Sequence, residues 1–91
     1  MNESKLAILL ATVISSLDEG GGETREGILY AGLMSHCDIG EFNTLVAALL
    51  RMGAVERGPQ HLLKLTEKGR QIAKKLADQI AEVRRKKLAA I

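Results

Sequence analysis

One helix with both of its ends written into the sequence constrains this chain most. The spacing predicts it over 39–52. Asp38 stands just before it as an N-cap, and Glu41, three residues on, can reach back to the Asp38 backbone N–H. Those two groups make a reciprocal capping box. At 100° per residue, Phe42, Leu45, Val46, Leu49, Leu50 and Met52 share one face. Gly40, Asn43, Thr44, Ala47, Ala48 and Arg51 share the other. Gly53 ends the helix as a left-handed residue can. A segment of this kind must bury its apolar face and leaves a small, mostly uncharged face outward.

Neighbouring segments supply the cover. A first helix over 4–17, capped by Asn2 or Ser4, repeats Leu6, Leu9, Leu10, Val13, Ile14 and Leu17 at helical spacing. Gly20-Gly21-Gly22 breaks it and reads as a flexible connector. No strand precedes those glycines and no GK[ST] follows, so they are not a phosphate loop. A second helix over 24–35 takes Ile28, Leu29, Ala31, Leu33 and Met34 as apolar positions, with Tyr30 at the core edge. After Gly53, Val55, Leu63 and Leu65 alternate as a two-stranded ribbon with one buried face, over 54–65. Gly58-Pro59-Gln60 is its turn. Arg57, Gln60, His61 and Lys64 line its outward side, with Leu62 beside them.

Thr66 caps a last helix over 67–91, about 38 Å long at 1.5 Å per residue. Ile72, Leu76, Ile80 and Val83 lie in one narrow arc, and Gly69, Ala73, Leu76, Ile80 and Val83 fit a four-three ladder that fails at Lys87. Such a helix either packs on the first helix or pairs with a second copy. Its length and stripe favour a homodimer through Ile72, Leu76, Ile80 and Val83.

The 91 residues suggest one domain, and an aromatic content of only 2% makes its core aliphatic. One cysteine and no evident secretory signal fit a reducing cytoplasm. Leu6–Leu17 is too short and too interrupted by polar residues to span a membrane. His36, Cys37 and the distant His61 fall short of a metal-ligand set, so no metal or cofactor is expected. No nucleophile–base pair or carboxylate dyad stands out, which argues against an enzyme. The net charge of +2 hides an asymmetry. Residues 1–57 hold four basic and eight acidic side chains, whereas 58–91 hold nine basic and three acidic.

Helix, short turn, helix, then RMGAVER, a turn, HLLKL and LTEKGRQIAKKL together resemble a winged helix-turn-helix. The ending is similar to that of the MarR, PadR and ArsR groups of bacterial and archaeal regulators. The resemblance covers Lys5 to about Leu76. It implies a mainly α fold with a small β-hairpin wing: a core over 1–66 and a long C-terminal helix over 67–91 that dimerises and carries a basic end. It also implies a DNA-binding transcriptional regulator, acting as a homodimer on double-stranded DNA in a prokaryotic cytoplasm. Carried onto this chain, helix 39–52 enters a major groove with Asn43, Thr44, Ala47 and Arg51 toward the bases and Glu41 near its start. Wing and last-helix contacts fall to Arg57, Gln60, His61, Lys64, Lys68, Arg70, Arg84, Arg85, Lys86 and Lys87. That face departs from a strong DNA reader: one arginine, no lysine, and a glutamate. Gly40, Ala47 and Ala48 form a smooth patch able to seat another helix. The alternative is therefore a winged-helix protein–protein interaction module without DNA binding.

Overall fold

The computed structural model describes the backbone of residues 2–89, with side chains except those at 80, 83, 84 and 87–89. The expectations placed on Ile80, Val83, Arg84 and Lys87 lie outside the described residues. Four helices and three short strands follow in order: α1 (Glu3–Glu19), β1 (Glu23–Arg25), α2 (Glu26–Leu33), α3 (Ile39–Arg51), β2 (Val55–Arg57), β3 (Leu62–Leu65) and α4 (Glu67–Ala89). The fold is mainly α with a small antiparallel sheet, of the winged-helix type, and the β2–β3 hairpin is its wing.

Local chemistry sets most of the element ends. The Asn2 side chain accepts from the Lys5 N–H at 2.8 Å and opens α1. At the other end, Gly20, Gly21 and Gly22 are not a loose connector. The Gly22 N–H donates to the Leu17 carbonyl at 2.7 Å, with Gly21 at φ 95°, which is the six-to-one bond of a Schellman cap. The Gly22 carbonyl then accepts from the Leu65 N–H at 2.7 Å, so the glycine run starts a strand.

That strand corrects the expected helix over 24–35. Glu23, Thr24 and Arg25 pair antiparallel with Lys64, Leu63 and Leu62, giving sheet order β1-β3-β2 rather than a two-stranded ribbon. Three extended residues carry no period of their own, and only their partner strand defines them. α2 is left with eight residues and room for one inward stripe. Leu33 is buried and Leu29 and Tyr30 are half-buried, but Ile28 and Met34, expected inside, are 67% and 62% exposed.

α3 keeps its expected limits. Asp38 accepts from the Glu41 N–H at 2.8 Å, and Glu41 Oε1 accepts from the Asp38 N–H at 3.2 Å. Gly53, at φ 74°, and Ala54 donate to the Leu50 and Leu49 carbonyls, closing a second Schellman cap. Phe42, Leu45, Val46 and Leu49 fill the core between Leu9, Val13, Ile14 and Leu17 of α1 and Leu63 and Leu65 of β3.

Thr66 joins the wing to the last helix. Its hydroxyl accepts from the Gly69 N–H at 3.0 Å and lies 2.5 Å from the Gly53 carbonyl oxygen, to which it donates. The end of α3 and the start of α4 thus share one side chain. α4 packs along α1, with Ala73 buried and Ile72 and Leu76 half-buried against the domain's own core. Two of the four residues expected on a dimer seam are therefore used within the monomer, because their stripe meets the apolar face of α1 first.

Candidate nucleic-acid interface

α3 presents one uncovered face. Asn43, Thr44, Ala47 and Arg51 are all exposed, and Gly40 lies among them. The helix is held from behind by four buried side chains and at both ends by caps, so these residues sit on a rigid support. Thr44 does not offer its hydroxyl proton outward. Its Oγ1 donates to the Gly40 carbonyl at 3.1 Å, one turn back.

Glu41 leaves that face. It turns toward α1, where Lys5 Nζ donates to its two carboxylate oxygens at 3.2 and 3.0 Å. The Lys5 bond, and then the Asp38 N–H, hold its carboxyl below the usual glutamate range. A carboxylate lowered on folding adds stability that is complete above its unfolded value and is lost as pH falls through its folded one. Glu41→Gln is therefore expected to melt below the parent at pH 7. The gap should close as pH drops below the ordinary glutamate value of about 4.3. Thermal midpoints of both proteins between pH 7 and pH 3 check this; a gap that widens toward acid contradicts it.

The wing departs from the expected row of outward bases. Strand register puts Arg57 opposite the fully buried Leu63, hence on the inner side of the sheet. From there Arg57 donates to Glu26 Oε1 at 2.9 Å, at the start of α2. His61 Nδ1 lies 3.3 Å from the other oxygen of the same carboxylate. Exposed pairs of this kind contribute only about 0–1 kcal/mol, so their consequence is placement: two wing-tip side chains point at a carboxylate. Gln60 accepts from Arg25 at 3.3 Å. Gln60 and His61 both take left-handed backbone, at φ 57° and 59°, which turns the chain sharply between the strands. Lys64 does face outward, yet its direct cross-strand neighbours are Glu23 and Glu56. Leu62, next to the turn, is half-exposed.

Other basic residues are less encumbered. Arg51, Lys68 and Arg70 are exposed and have no ion-pair partner among the described residues. The Lys68 side chain runs beside Gly53, at the C-terminal end of α3 near Arg51. Arg85 is exposed on α4, and Lys86 pairs with Glu82 one turn before it at 3.4 Å.

Large apolar side chains stand on the surface at Ile8, Ile28, Met34 and Ile39. Ile39, the first residue of α3, is 56% exposed. With Ile28, Tyr30, Phe42 and Asn43 it lines an open groove between α2, α3 and the wing tip. Tyr30 packs on Phe42 with ring centroids 5.1 Å apart. For Ile39 the helical period gave no signal, since at 100° per residue it falls between Val46 and Leu50 on the apolar side of the helix. Ile28 gave none, because the shortening of α2 depends on β1.

Cys37 is a core residue. Its thiol is 5% exposed, lies 3.5 Å from the Leu33 carbonyl, and is pushed up in pKa by burial and then by Glu41. Among the described residues no three His, Cys, Asp or Glu side chains gather as a metal site would require. No protein-family model, no curated protein and no solved structure matches the chain.

Proposed function

We propose that this chain is a DNA-binding transcriptional regulator of winged-helix type, with α3 in the major groove. The observation that carries the reading is the uncovered α3 face, from Asn43 to Arg51, with Glu41 drawn off it into a bond with Lys5. That bond removes the one carboxylate on α3 that a phosphate would repel. Arg51 at the end of α3 and Lys68 of α4 beside it supply positive charge that has no ion-pair partner among the described residues.

Anisotropy of a labelled mixed-sequence duplex, titrated at two salt concentrations, tests it. Micromolar binding that weakens with salt is expected. Replacing Arg51 and Lys68 by glutamine should shallow the log–log salt slope by about 0.9 for each phosphate no longer neutralised. Sedimentation of the same samples reads whether two copies bind together, as the homodimer reading requires.

A second reading, a protein interaction module, is favoured by the exposed Ile28 and Ile39 and by the grip of Glu26 on Arg57 and His61. Absence of duplex binding at low salt selects it over the first.

A further inference from the structure

We infer that α3 selects A·T base pairs, recognising thymine by its methyl group and adenine through Asn43. This rests on the DNA-binding reading and adds to it the class of site. Chemical elimination along the exposed face leads there. Guanine is read by a side chain carrying two donors, usually arginine or lysine, and cytosine by an acceptor such as a carboxylate. Through its first three turns α3 carries no arginine or lysine and no free carboxylate. Its carboxylate, Glu41, is bound to Lys5 and to the Asp38 N–H. Asp38 itself is spent capping the helix. Arg51 stands at the last residue of the helix, more than a turn beyond Ala47.

What remains is one amide and a set of methyl groups. Asn43 can accept from adenine N6 and donate to its N7. Around it lie Ile39, one turn earlier and 56% exposed, and Ala47, one turn later and exposed. Thr44 adds its methyl group to the same set, while its hydroxyl proton is committed to the Gly40 carbonyl. An apolar surface of this kind gains nothing from the polar edges of G·C pairs and gains contact with the thymine C5 methyl.

The test uses three labelled 20-base-pair duplexes: alternating A·T, the same sequence with deoxyuridine in place of thymidine, and alternating G·C. Deoxyuridine keeps the pairing and the phosphate charge and deletes only the methyl. Anisotropy at constant salt should rank thymidine over deoxyuridine by about fourfold for each methyl buried, and G·C weaker than both. Ile39→Ser, a change at an exposed position, should narrow the gap between thymidine and deoxyuridine, and its thermal midpoint reads whether the domain stays folded. Salt-sensitive binding that is equal on all three duplexes overturns this inference and leaves the DNA-binding reading standing. Failure to bind any of them overturns both.

Discussion

Gly69→Ala is expected to destabilise the domain by about 2–3 kcal/mol, although it adds one methyl group to a helix. In an open helix the same change stabilises by up to about 1 kcal/mol, because alanine loses less backbone freedom on folding. Gly69 is different because α4 crosses the wing there at close range. A Cβ at this position would overlap the Ala54 carbonyl oxygen and come within 2.6 Å of Leu65 Cδ1. Neither neighbour can yield easily. The Ala54 oxygen accepts from the Thr66 N–H at 3.0 Å, and Leu65 is buried in β3 between α1, α4 and the sheet. Overpacking of this kind typically costs 1–3 kcal/mol and sometimes more, which outweighs the gain in propensity. For a domain of this size the loss corresponds to a fall in melting temperature of roughly 10–20 °C. Gly27→Ala is the control, since nothing lies within 4 Å of a Cβ added there. Circular dichroism melts of the two variants should move in opposite directions. A Gly69→Ala protein that melts with the parent would mean that α4 does not approach the wing as described.

Gly69 also marks the line between what the sequence makes legible and what it does not. Wherever a group acts on residues within four positions of itself, the reading from the sequence holds. Asp38 and Glu41 cap α3, Gly53 takes the left-handed turn, and Thr66 caps α4. The inward stripe of α3 follows for the same reason, since 3.6 residues per turn fixes it without knowledge of the partner. Apart from the Gly20–Gly22 cap, which is local to the end of α1, the main departures come from contacts distant in sequence. β1 exists because Glu23–Arg25 meets β3 some forty residues later. Arg57 lies on the inner side of the sheet, toward Glu26, because its register partner is Leu63, whose side chain is in the core. Glu41 reads as a repulsive charge on the outward face until Lys5, 36 residues earlier, is seen to hold it. Gly69 fits a helical ladder of small and apolar residues, and only the Ala54 carbonyl shows why no side chain is tolerated there. The outward face of α3 could be named in advance; its electrical character could not.

Leu45→Ala and Asn43→Ala, two residues apart on α3, should separate the two jobs of that helix. Leu45 is 0% exposed and sits in the shared core of α1, α3 and the sheet. Truncating it removes buried methyl groups and leaves a cavity that capped, fixed helices cannot close, at a cost of about 3–4 kcal/mol. Against a total stability of roughly 5–15 kcal/mol for a small domain, that is a large share, and the melting temperature should fall by roughly 12–30 °C. The Asn43 side chain is exposed and has no hydrogen-bond partner among the described residues. Its removal should shift stability by no more than about 0.5 kcal/mol. Duplex binding should respond the other way round. Below its melting temperature the Leu45→Ala protein still presents an unaltered outward face and should bind A·T duplex close to the parent. Asn43→Ala melts with the parent and should lose about tenfold in affinity, the lower end of what one paired base contact contributes. If Leu45→Ala abolished binding while still folded, the face would depend on core packing more than its two caps imply. If Asn43→Ala changed stability and not binding, Asn43 would be a structural residue and the outward face would lose its one polar reader.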